Sequence, residues 1–503
     1  MNRLLVVLAL LLTFQQGFPQ KRNRPDDSVK SFDQYVEASL RDWEVPGAAL
    51  VVVKEGKVIY KKTYGVRTAG SPEKVDSQTL FACASTTKAM TATCMGILVD
   101  EGKIKWDDPV SMYLPDFQLR DPYVSQHLRV RDLFTHNSGV GNTDFLWAAM
   151  DIPSEEVLYR MRFVEPSYPF RGGYTYQNIF YLAAGQIVEK VSKKPWAEFL
   201  KERVFAPLGM NRSFPLLSEV PDTNRASAHL IVKDSLRVIE PFSADAIGPA
   251  GSVQSCIDDL ALWTICMLDS SKYKGGQLLS STTWKELFTP QVLIPDSQFY
   301  PTIQLTRPNW TSYGLGWFQQ DYRGQKVNYH TGSLAGEIAM HGQLPAYQVG
   351  VFMIGNLDHA EVRHALLFRA FDQFALGIDR DWNAEFRELY QKLTVDFKIK
   401  ILEAESARVL KTQPSGSLED YTGLYSSPLF GDMSVSLAEG TLRFSLNNKL
   451  LGGLQHWHFD TFRAKWDSLS YAEGLSLLSF TRNQSGVIST ITMDGQVFTR
   501  RTK

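Results

Sequence analysis

The chain alternates between segments whose apolar residues recur at helical spacing and segments that are apolar throughout or alternate with polar residues. In Ser31–Trp43, Phe32, Tyr35, Val36 and Leu40 share one face, which predicts an amphipathic helix ended by Pro46-Gly47. Ala48–Lys54 and Val58–Gly65 flank the turn Glu55-Gly56-Lys57 and predict a β-hairpin. An apolar helix then opens near Ser85 and runs through Leu98 to Glu101-Gly102. Further helices are predicted at Asn178–Ser192, Ile257–Leu268 and Ala360–Phe374, and strands at Gly314–Asp321, Lys326–Thr331 and Gln348–Ile354. A hairpin first, a meander last and helices between them predict an α/β (α+β) fold. Its antiparallel sheet would draw on both ends of this region, flanked by helices, with an inserted helical lobe.

The pattern changes near Ile378. Trp382–Leu410 reads as one long amphipathic helix, and from Tyr421 to Phe498 short alternating strands separated by Gly- and Asn-containing turns predict a small all-β domain. At the other end, Arg3 precedes the run Leu4–Leu12, too short to cross a bilayer but matching the apolar part of a secretory signal. The expected organisation is a signal peptide over 1–20, a main domain over 28–378, a helical linker over 379–415 and the small all-β domain over 416–503. Export would leave the protein periplasmic or secreted, with no integral membrane span after signal removal. The sequence does not specify an oligomeric state.

Composition narrows the function classes. The 503 residues are 44% hydrophobic and 21% charged, which fits a folded multidomain protein and not a disordered one. A net charge of -1 without a long basic run argues against nucleic acid as a partner. Four cysteines are too few for a disulfide framework in a chain this long, so buried free thiols are expected. The histidine pairs His456/His458 and His359/His364 lack the spacing and companions of a metal site, so neither a metal nor another cofactor is expected.

Three stretches carry candidate chemistry. S-x-x-K occurs at Ser71–Lys74, Ser85–Lys88 and Ser271–Lys274, but only Ser85 opens an apolar helix. There a hydroxyl and an amine lie one turn apart, which suits an activated nucleophile; a helix N-cap is the competing role for Ser85. Tyr176-Gln177-Asn178 stands at a loop-to-helix junction. Tyr176 facing a lysine ammonium would have a depressed pKa and could shuttle protons, and Asn178 could orient both substrate and lysine; core-edge filler and N-cap are the alternatives. His330-Thr331-Gly332-Ser333 ends a predicted strand, where glycine admits a close approach and backbone N–H groups can hold an oxyanion.

Taken together and in this order, these motifs resemble the serine β-lactamase and penicillin-binding superfamily, most closely its class C β-lactamase and DD-peptidase branch. Leu128–Gly139, Tyr313–Trp317 and Pro249–Trp263 are also similar to that branch, and the resemblance spans about Ser31 to Leu376. It implies that Ser85 is the nucleophile of an acyl-enzyme and Lys88 its proton acceptor. Tyr176 would be the proton shuttle and Asn178 the orienting amide, with the backbone N–H groups of Ser85 and Ser333 as the oxyanion hole. His330 stands where class C enzymes generally carry lysine, and His-x-Gly is found in D-aminopeptidase, DD-carboxypeptidase and esterase relatives. Histidine is a poorer permanent clamp for a substrate carboxylate. The resemblance therefore implies a small-molecule or peptide substrate, namely D-amino-acid peptides or small esters, with weak or no β-lactamase activity. Acyl transfer and a non-turning-over penicillin-binding sensor are the alternatives. The tail, Leu418–Arg500, resembles a small β-barrel-like domain found behind such hydrolases.

Overall fold

The computed structural model describes residues 25–148, 150, 152–221, 223–469 and 474–501. The expected signal peptide over 1–20 lies outside the described residues.

The fold is mixed α/β, organised by an eight-stranded antiparallel sheet. Two strands come from the beginning of the main domain, β1 (Gly47–Lys54) and β2 (Lys57–Gly65). Six come from its end: β3 (Val292–Leu293), β4 (Thr311–Tyr313), β5 (Phe318–Tyr322), β6 (Gln325–Leu334), β7 (Glu337–Leu344) and β8 (Val349–Gly355). Their order is β2-β1-β8-β7-β6-β5-β4-β3, so β1 joins the two contributions, with Leu50 opposite Lys62 on one side and Met353 on the other. The unbroken apolar run of β1 follows from burial on both faces. Ala48, Leu50 and Val52 pack with the first helix, α1 (Pro25–Asp42), while Ala49, Val51 and Val53 pack with the inserted helical lobe. Each valine so buried contributes about 1.5–3 kcal/mol relative to exposure.

The inserted lobe contains α2 (Thr87–Asp100), α3 (Ile179–Ser192) and α4 (Ile257–Leu268). Beyond β8, α5 (Val362–Phe371) covers the α1 side of the sheet, and α6 (Trp382–Ser406) leads out of the domain. The tail closes into an eight-stranded barrel running from Gly423 to Arg500. All four cysteines are buried and free. Among the described residues no helix is long and apolar enough to cross a membrane.

Three elements differ from their sequence-based expectation. Gly314–Asp321 is not one strand: the chain breaks at Gly314–Trp317, where Gly316 adopts φ +87° and a Cβ would lie 3.0 Å from the Lys88 carbonyl oxygen. The turn is spent on packing against the start of α2. Strand β7 was not expected, because Glu337–Leu344 mixes His341 and Gln343 with apolar residues and is buried at every position, which erases the alternating signal. The long helix stops at Ser406, four residues short of Leu410.

Candidate active site

From Thr79 to Leu98 every residue is buried except Ser85. The segment leading to it is tied down on all sides. Phe81 and Ala82 pair with Ser255 and Gln254, the Ala82 N–H donates to Glu337 Oε1 at 2.9 Å, and the Cys83 N–H donates to the Val253 carbonyl at 2.7 Å. Ala84 then takes φ +46°, a left-handed conformation costly for a residue with a Cβ. Ser85 follows in a single 3-10 turn, Ala84–Thr86, just ahead of α2. The N-cap position of α2 belongs to Thr86, and no side chain caps the helix. The capping role for Ser85 is therefore excluded, as is its expected place inside the first α-helical turn. A strained, immobilised backbone presents one accessible hydroxyl.

Lys88 is fully buried, and its Nζ donates to Ser85 Oγ at 3.1 Å, Asn178 Oδ1 at 2.6 Å and the Ala250 carbonyl at 2.8 Å. Burial pulls its pKa down to about 7, partly opposed by the Asp144 carboxylate. A neutral amine has two N–H donors and one lone pair. The donors suffice for Asn178 and Ala250, which leaves the lone pair facing the Ser85 hydroxyl. Lys88 is thus poised as a base near neutral pH. Because the depressed group accepts a proton from Ser85 only when uncharged, kcat/KM should fall about tenfold per pH unit below the Lys88 pKa and level off above it. A pH–rate profile flat from pH 5 to 8 would contradict this assignment.

Tyr176 lies differently from expectation. Lys88 Nζ sits over the face of its ring, 4.8 Å from the centroid, and does not face the phenol oxygen. Burial raises the phenol pKa well above 10, with Tyr300 adding to the rise and the neighbouring Ser85 hydroxyl opposing it. The depressed pKa expected for Tyr176 is thereby corrected: the residue is a neutral phenol, a donor of protons at rest. His136, missed by the motif reading although it lies within Leu128–Gly139, backs this ring at 4.3 Å and accepts from the Gln177 N–H through Nδ1. Burial holds His136 well below the usual histidine range.

Asn178 directs its amide nitrogen to Asp144 Oδ1 at 2.8 Å and its oxygen to Lys88. Sequence reasoning missed Asp144, because nothing local marks a loop aspartate 34 positions before its partner. In the third motif, His330 is fully buried, with Nε2 2.8 Å from the Tyr313 hydroxyl and Nδ1 2.6 Å from the Thr331 carbonyl. Burial, with the Lys88 charge adding to it, pulls its pKa down to about 3, so the ring is neutral. The Thr331 hydroxyl bonds the Tyr300 hydroxyl. Gly332 serves close packing within the protein: a Cβ there would lie 2.5 Å from the carbonyl oxygen of Cys83, two residues before Ser85. Ser333 alone of the four is partly exposed, and its Oγ accepts from Arg363 at 2.6 Å. Strand β5 pairs only with residues 325–329, so among the described residues no strand pairs with that edge of β6 from His330 onward.

Known proteins resemble this chain in sequence and fold. The family model described as Beta-lactamase matches residues 32–374, and one described as Domain of unknown function (DUF3471) matches residues 407–502. Unguisins hydrolase ungD of Aspergillus violaceofuscus is 26% identical over 463 residues, covering 84% of this chain and 79% of that protein. The octameric penicillin-binding protein homologue from Pyrococcus abyssi superposes with a TM-score of 0.60 at 21% identity, over 93% of this chain and 99% of that one. SurE solved with D-Leu gives a TM-score of 0.54 at 16% identity, over 95% and 100% of the two chains. With the matched model spanning the sheet, the helical lobe and all three motifs, the chain belongs to the Beta-lactamase family, within the serine β-lactamase and penicillin-binding superfamily.

Proposed function

We propose that this protein is an exported serine hydrolase that cleaves D-amino-acid peptides or small esters through a Ser85 acyl-enzyme, with weak or no turnover of β-lactams. The observation that carries the reading is the 3.1 Å contact between the one accessible hydroxyl of a buried segment and a buried lysine with a pKa of about 7. In the first step Ser85 Oγ bonds to the substrate carbonyl carbon and its proton passes to Lys88 Nζ. The oxyanion meets the N–H groups of Ser85 and Ser333. The bond to the leaving group then breaks, and that group takes the proton held by Lys88, either directly or through Tyr176, whose phenol gives up one proton and regains another from the ammonium. In the second step water attacks the acyl carbon and gives its proton to Lys88 Nζ; the bond from that carbon to Ser85 Oγ then breaks, and Oγ takes the proton back from the ammonium as the acid departs.

The preference for peptides and esters rests on the third motif. His330 is neutral and engaged with Tyr313. The cation beside Ser333 is Arg363, whose guanidinium is already held by Glu361 and the Gly332 carbonyl. Neither offers a free positive charge to a β-lactam carboxylate. One structural neighbour was solved with D-Leu, which supports D-residue substrates, and one relative is named as a hydrolase of unguisins, which supports hydrolysis. The Leu4–Leu12 run supports export.

The test is a panel of p-nitrophenyl esters, D-amino acid anilides, D-Ala-D-Ala peptides and nitrocefin. We expect turnover of an ester or D-residue substrate, an acyl adduct on the Ser85 peptide by mass spectrometry, and slow or absent nitrocefin hydrolysis. Rapid nitrocefin turnover that depends on Ser85 would reverse the substrate preference.

A further inference from the structure

We propose that Asp144 is a positioning residue that holds Lys88 through Asn178, and that the barrel turn at Leu429–Phe430 keeps Asp144 in place. The inference rests on Ser85 and Lys88 being nucleophile and base.

The chain of contacts is continuous. A carboxylate can only accept hydrogen bonds, so Asp144 Oδ1 forces the amide nitrogen of Asn178 toward itself at 2.8 Å. The amide oxygen is then left for Lys88 at 2.6 Å. The same Oδ1 accepts from Trp147 Nε1 at 2.9 Å, which locks the carboxylate's rotation. Two aromatic contacts hold this short helical stretch. The Trp147 ring lies 5.7 Å from Phe242, and the Phe145 ring lies 5.2 Å edge-on from Phe430, which belongs to the barrel. Arg160 adds a second tie to the same turn, donating to the Leu429 carbonyl at 3.2 Å. Leu429 and Phe430 are buried there, so the barrel turn is part of the packing around the active-site loop.

The groups around Lys88 leave Asp144 a distinct role. On α3 and just before it lie Tyr176, Asn178 and Tyr181; the adjoining loop brings His136, the 248–251 turn brings the Ala250 carbonyl, and β6 brings His330. Burial keeps both histidines and both phenols uncharged at neutral pH. Among the described residues, Asp144 is the carboxylate whose charge acts on Lys88, and it favours the ammonium. Removing that charge must therefore move the acidic limb of activity to lower pH.

Asp144→Asn tests this directly, since an asparagine keeps an Oδ1 acceptor for both Asn178 and Trp147. With p-nitrophenyl acetate as probe, the acidic limb of kcat/KM should move down by roughly half a unit to one unit, with kcat reduced and KM little changed. Asp144→Glu keeps the charge on a longer arm and should leave the limb near wild type while lowering kcat. Phe430→Ala should move the limb in the same direction as Asp144→Asn, and Phe430→Leu should restore it, with thermal unfolding followed in parallel to show an intact barrel. A wild-type limb in Asp144→Asn overturns the role of Asp144. A wild-type limb in Phe430→Ala beside a shifted Asp144→Asn overturns the role of the barrel. Full activity in Ser85→Ala would overturn the acyl-enzyme reading itself, an outcome separate from either.

Discussion

Ser85→Ala is expected to lower kcat/KM by on the order of 10⁴–10⁶-fold while leaving the melting temperature close to that of the parent. The two halves of this expectation have different physical origins. Chemically, on the proposed mechanism the alanine removes the atom that forms the acyl-enzyme, and the proposed oxyanion donors and binding contacts recover little of the rate. Structurally, the lost hydroxyl is partly exposed and lies 3.1 Å from Lys88 Nζ. Lys88 keeps its acceptors in Asn178 and Ala250, so both N–H groups of the neutral amine stay bonded. Steady-state ester hydrolysis and thermal unfolding measured on the same sample distinguish the two halves. Activity within tenfold of the parent would remove Ser85 from the chemistry; a large loss of stability would make it a structural residue.

The division between what the sequence shows and what it hides follows the range of the interactions. Ser85–Lys88 is legible because helical geometry fixes a contact three residues apart. The hairpin β1–β2 and helices α3 and α4 are legible because their periodicity reports burial of one or both faces. Strand β7 escapes because its inward polar residues, His341 and Gln343, break the pattern. Asp144 escapes because its meaning depends on Asn178, and that of Phe430 depends on Phe145, 285 positions away in sequence. Residue type and motif partners alone do not set the protonation states of Tyr176 and His330, which depend on burial. The structure replaces the lysine-depressed tyrosine with a desolvated one, because burial dominates the phenol and Lys88 lies over the ring face. His330 is neutral because it is buried, and Tyr313 engages its Nε2.

Gly332→Ala is expected to be the most damaging single-methyl change in the third motif, destabilising the main domain by about 2–3 kcal/mol and reducing activity by more than the unfolded fraction accounts for. The added Cβ would lie 2.5 Å from the Cys83 carbonyl oxygen, 3.0 Å from the Ala84 Cβ and 3.1 Å from the Ala339 Cβ. A flexible side chain could swing away, but Cys83 cannot. Its carbonyl accepts from the Thr86 N–H at 3.1 Å and the Thr86 hydroxyl at 2.7 Å, and its N–H is held by Val253 at 2.7 Å. Relief therefore requires β6 and the Cys83–Ser85 segment to separate by several tenths of an ångström, carrying Ser85 away from the edge that presents Ser333. Displacements of this size at a nucleophile cost orders of magnitude when the reacting groups must align. Gly453→Ala, in a barrel strand where a Cβ meets nothing within 4 Å, is the matched control and should change neither property. Equal melting temperatures and equal ester turnover for the two variants would show that the sheet yields freely beneath the nucleophile, and that the tight seating of Ser85 is not what sets its reactivity.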